Sequence, residues 1–142
     1  MRRTERRVGR AESGSASIWA LLATAGVFTV LLGLVVDGGN VIEARVEAAH
    51  TAEQAARLAA DQLSAGSVRE GGDAVSPGAA AESARAYLRA TGTPGAVRVD
   101  GDTVTVTVNT RMPTKVLGVI GIAAFPVEES ATAEGITEED LP

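Results

Sequence analysis

The stretch SASIWALLATAGVFTVLLGLVV, residues 15–36, carries no charge and is mostly apolar, and the fold follows from how it is read. At about 1.5 Å of rise per residue, its 22 residues form a helix of roughly 33 Å, against a hydrocarbon core of about 30 Å. Eleven of its side chains are Leu, Ile, Val or Phe. At about −0.3 to −0.6 kcal/mol each, they favour insertion by roughly 3 to 6 kcal/mol. A soluble helix of this length needs a polar face, and the polar side chains present, Ser15, Ser17, Thr24 and Thr29, are small enough to bond their own backbone.

Working outward, residues 1–14 form a basic stub with Arg2, Arg3, Arg6, Arg7 and Arg10 against Glu5 and Glu12. The residues just after the run hold Asp37, Glu43 and Glu47 against Arg45. The positive-inside rule therefore predicts a cytoplasmic N-terminus, a single pass over residues 15–36, and export of the chain from Asp37 onward to the outside of the cell membrane. The competing reading is a cleaved signal peptide and a secreted binding protein. That reading calls for an apolar core of about 7–15 residues ending in a small-x-small site, whereas this run is longer and ends in Asp37-Gly38-Gly39.

Beyond the run, residues 37–134 are enough for one small exported α+β domain, followed by an acidic, disordered tail at 135–142. Aromatic residues are 3% of the chain and cysteine is absent, so the core must be Ala, Val and Leu, and no disulfide or thiolate site is available. The net charge is −5, with one lysine, Lys115, which argues against nucleic acid as a partner. The arginine stub fits the surface of an anionic lipid bilayer.

Residues 41–63, VIEARVEAAHTAEQAARLAADQL, contain no Gly or Pro and predict a long exported helix, with Gly38-Gly39 as a hinge before it. Val41, Ala48, Ala52, Ala55, Ala59 and Leu63 fall on one stripe once Arg45 is allowed in it. This narrow alanine seam suits close packing on the domain's own sheet or on a partner helix. Residues 64–78 read as a loop, with Pro77 a suitable start for a helix over 79–90 in which Ala80, Ala84, Tyr87 and Leu88 share a side. AVRVDGDTVTVTV, residues 96–108, predicts a β-hairpin with one valine face. A two-residue turn at Asp100-Gly101 pairs Val97 with Val104 and a four-residue loop pairs Val99 with Val104, so the register stays open. The apolar VLGVIGIAAF, residues 116–125, is too short to span a bilayer and should pack on the sheet or lie at the membrane surface. VEESATAE, from Val127, offers a third strand.

No catalytic constellation emerges. His50 sits among alanines and acids as a helix-surface residue, and Gly38-Gly39 lacks the context of a phosphate loop. The expectation is a non-enzyme with no cofactor, no metal and no small-molecule substrate. Asp37 admits two readings: a mark of where water begins, or an ion pair with a partner's arginine equivalent to Arg45.

Gly14-Ser15 before the run, Asp37-Gly38-Gly39 after it, Arg45, and TAEQAARLAA at 51–60 resemble the N-terminal module of the TadE/TadG-like family of the tight-adherence (Flp) pilus system. MPTKVLGVIG at 112–121, followed by ATA, is similar to the closing segment of many such proteins. The resemblance implies a minor pilin-like or assembly component that meets other pilus or secretion components through the alanine-rich helix. It also implies a candidate prepilin-type cut between Gly14 and Ser15. Such pseudopilins usually carry glutamate at the fifth position after the cut. Trp19 stands there in this chain and cannot make the corresponding ion pair with a neighbour's amine. A tethered accessory subunit of another exported complex is the remaining alternative.

Overall fold

A computed structural model describes the backbone of residues 12–69 and 77–135 and the side chains of 15–64 and 77–135. Helix α1 spans Glu12–Arg69 and is followed by α2 (Pro77–Ala90), strands β1 (Gly95–Asp100) and β2 (Thr103–Pro113), a 3-10 turn at Leu117–Ile120, and β3 (Ala124–Glu134). The expected α+β architecture is present: a long N-terminal apolar helix, a second helix and a small antiparallel sheet. The arginines of the basic stub, the middle of the expected loop at 70–76 and residues 136–142 of the expected tail lie outside the described residues.

At about 1.5 Å per residue, the 58 residues of α1 extend for roughly 87 Å. The helix is continuous through Gly38 and Gly39, so the expected hinge is absent, and it runs past residue 63 to Arg69, into the segment read as loop. The residues next to the glycine pair, Val35, Val36 and Asp37 before it and Asn40, Val41 and Ile42 after it, are not strong helix formers. The cost of about 1 kcal/mol per glycine is therefore offset by the cooperativity of a long helix and by packing, not by local propensity. The first half of α1 leaves Ile18, Trp19, Leu21, Leu22, Phe28 and Leu32 exposed. The second half is covered on one side: Ala48, Ala52, Ala55 and Ala59 are buried, with Val41 and Leu63 packed beside them. Arg45 is exposed and does not belong to the stripe; Ala44 packs there instead, because a methyl group fits where a guanidinium would need partners. Ala56 and Ala60 widen the seam.

Against this seam lie the valines of the sheet. Val104, Val106 and Val108 of β2 and Val127 of β3 are all buried in one cluster with the alanines, Ala80, Ala84 and Leu88. The opposite face of the sheet is hydroxylic, with Thr105 bonded to Thr132 at 3.1 Å and Thr107 to Ser130 at 3.2 Å. The alternation of Val and Thr thus sends one face to the core and the other to water. Strand order is β1-β2-β3, antiparallel throughout. Val99 pairs with Val104 and Asp100 with Thr103, which settles the register and moves the two-residue turn to Gly101-Asp102. Gly101 has φ +61° at the first turn position while Asp102 has negative φ, the pattern that suits glycine in a type II′ turn.

Helix α2 begins at Pro77, two residues earlier than expected, and buries Ala80, Ala81, Ala84 and Leu88. Its end is a Schellman motif: Thr93 N–H donates to Leu88 O at 2.9 Å and Gly92 N–H to Arg89 O at 3.2 Å, with Gly92 at φ +66°. The third strand is longer than expected, starting at Ala124 and taking in Pro126, which pairs with Arg111. A proline fits there because β3 is an edge strand.

Candidate functional site

The apolar segment after β2 enters the sheet only with Ala124 and Phe125, at the start of β3. Thr114 closes it as a loop, donating its N–H to Ala123 O at 3.0 Å and its hydroxyl to Ile122 O, and the loop leans on α1. Its docking point is Asp37. Lys115 N–H donates to Asp37 Oδ1 at 2.8 Å, Val116 N–H to Oδ2 at 3.0 Å and Leu117 N–H to Oδ2 at 2.7 Å. The three donors precede or open the 3-10 turn and have no acceptor within it, whereas a carboxylate 2% exposed at the end of the apolar half of α1 needs donors. Each solves the other's desolvation, and charge-assisted bonds of this kind are about twice as strong as neutral ones. The Leu117 N–H, followed by those of Lys115 and Val116 and by the Lys115 charge, holds the Asp37 carboxyl below its ordinary range against the opposing pull of desolvation.

One turn toward the N-terminus, Gly33 completes the seat. A Cβ there would stand 2.8 Å from Val116 Cγ1 and 3.0 Å from Leu117 Cδ2, so a larger residue forces the Val116 and Leu117 side chains to shift. Gly33 and Asp37, four residues apart, form one face of α1 given over to the loop. Three residues beyond Asp37, the Asn40 amide nitrogen is buried without a partner, at a cost of about 1–3 kcal/mol.

Within the chain the Asp37 carboxylate is taken up by backbone donors of the loop, while Arg45 is exposed, two turns further along α1. Gly14 and Ser15 lie in the first turns of α1, Ser15 exposed. His50 is on the helix surface, its Nδ1 3.9 Å from Glu53 Oε2. Among the described residues, no three His, Asp or Glu side chains converge as metal donors. Of the two seats expected for the alanine seam, the domain's own sheet or a partner helix, the sheet fills it, together with α2. The sequence reading missed the donors at 115–117 and the role of Gly33. One signal for them existed, since Asp37-Gly38-Gly39 and MPTKVLGVIG both carried the family resemblance, and these two segments, nearly 80 residues apart, are the ones that touch.

Fold and site together define a class: among the described residues, one helix, near the N-terminus, is long and apolar enough to cross a membrane, and its distal half is clad by a small sheet. The model of the family described as "Putative Flp pilus-assembly TadE/G-like" matches residues 14–62, about a third of the chain. The matched segment holds the apolar half of α1, Asp37 and most of the alanine seam. The match bears out the resemblance over that segment and supports involvement in Flp pilus assembly. No curated protein and no solved structure matches the chain.

Proposed function

We propose that this protein is a non-catalytic, membrane-anchored component, minor pilin-like or assembly factor, of a tight-adherence type pilus or secretion apparatus. In this reading residues 1–14 are cytoplasmic, residues 15–36 span the cell membrane, residues 37–134 form the domain outside, and the rest is tail. The observation that carries the proposal is the division of α1. Its first half exposes a continuous apolar surface that water does not tolerate, and its second half is buried on one side by valines and alanines. A helix so divided is anchored at one end and supports a domain at the other.

Partner components meet the faces of α1 that the sheet leaves open. Ile42 and Val46, one turn apart and both exposed, form an apolar strip above Asp37 suited to another subunit's helix. Processing between Gly14 and Ser15 belongs to the same proposal; with Trp19 in place of the glutamate, an uncut, permanently anchored assembly factor fits equally well. An Asp37 pair with a partner's arginine is not needed, because the carboxylate already accepts from three backbone donors.

Two measurements test the proposal. Reporters fused after Pro142 should be active when they require the outside of the membrane and inactive when they require the cytoplasm; the reverse overturns the topology. Deleting the gene should remove surface pili, and restoring it should return them. Normal pili in the deletion strain would contradict the assigned role.

A further inference from the structure

The loop held by Asp37 leaves its apolar tip bare. Val119 is 86% exposed, Ile120 55% and Ile122 40%, while Leu117 of the same loop is buried against α1. A loop that buries one apolar residue and presents three others has a surface to meet. Its position says which. Val116 and Leu117 rest on Gly33, which lies within the apolar run, about 6 Å further toward the N-terminus than Asp37. The loop that carries the exposed tip is therefore seated against the apolar run of residues 15–36. Lys115, the chain's one lysine, is exposed where the loop leaves Asp37, at the level suited to lipid phosphates.

Resting on the anchored reading above, we propose that Val119, Ile120 and Ile122 form a second membrane contact, a wedge seated in the outer leaflet beside α1. Asp37 sets the wedge's depth by gripping the backbone at 115–117. Two attachments, a spanning helix and a wedge at its flank, fix the rotation of the domain about the helix axis as well as its height above the bilayer. A spanning helix alone leaves that rotation free. The occupant of the apolar tip is lipid hydrocarbon, with anionic headgroups beside Lys115.

Because the chain has no cysteine, a single introduced thiol can be labelled cleanly. The full chain is reconstituted in phosphatidylethanolamine–phosphatidylglycerol vesicles with a nitroxide on Val119→Cys or, independently, on Ile122→Cys. Leu22→Cys serves as the hydrocarbon reference and Arg98→Cys, on β1, as the aqueous one. Accessibility to oxygen and to a water-soluble nickel chelate is read by electron paramagnetic resonance. The expected result is that labels at 119 and 122 favour oxygen severalfold more than the label at 98 does, approaching the label at 22. Labels at 119 and 122 that behave like the one at 98 overturn the wedge, and the label at 22 then decides the rest: in lipid, the anchor stands without the wedge; in water, the anchored reading falls too. Labels at 119 and 122 shielded from both reagents would place the tip against protein and also overturn the proposal.

Discussion

Asp37 concentrates the chemistry of this chain in a single carboxylate. Two oxygens accept from three successive backbone N–H groups, and the charge, rather than the shape of the side chain, makes the site strong. Asp37→Asn keeps the size but replaces one acceptor oxygen with a donor facing donors. We expect hydrogen exchange at the Lys115, Val116 and Leu117 amides to accelerate sharply while exchange in β2 stays slow, measured by mass spectrometry on the detergent-solubilised protein. The same site has a defined pH response. Its carboxyl titrates below the ordinary value of 3.8, so its contribution is complete above that pH and is lost as pH falls through the lowered value. Protection of residues 115–117 should therefore be unchanged between about pH 5 and 8 and disappear under strongly acidic conditions. None of this partnership was legible in the residues near Asp37. A carboxylate's side-chain partners leave a trace in sequence as opposite charges at suitable spacing, whereas backbone donors can belong to any residue type.

Among the elements, α1 tests how far local propensity governs this fold. Gly38 and Gly39 read as a hinge, yet the helix passes through them, held by the cooperativity of the long helix on both sides and by the loop seated one turn earlier. A Cβ at either position meets nothing within 4 Å. Gly38→Ala and Gly39→Ala should each stabilise the protein by up to about 1 kcal/mol, read by denaturant unfolding, and leave pilus assembly intact. Loss of assembly with both variants would restore the hinge. The seam behaves in the opposite way. Ala55 is completely buried, so Ala55→Leu should cost about 1–3 kcal/mol by forcing the helix away from the valines of β2. The valine face of the hairpin was plain in the alternation of residues 96–108, but its register was not, because both possible pairings put the same valines on the same side. Position 45 was misplaced for a related reason: helical spacing points to a stripe, and only burial distinguishes the arginine from the neighbouring Ala44.

For the whole molecule, the account depends on the apolar half of α1 staying in lipid while the valine–alanine core folds beyond it. The long apolar helix was legible because twenty-odd uncharged residues admit few alternatives, and the α+β class because helix and strand periodicities separate cleanly along the chain. The contact of the loop with Gly33 and Asp37 arises from the tertiary fold, and the sequence held no trace of it beyond the resemblance shared by its two segments. The most direct test is fractionation of the native cells followed by intact-mass measurement of the protein. The account predicts a chain that resists alkaline carbonate, requires detergent for release, and has a mass that includes residues 15–36. An intact chain recovered in the soluble fraction, or a mature chain beginning beyond residue 36, would contradict it.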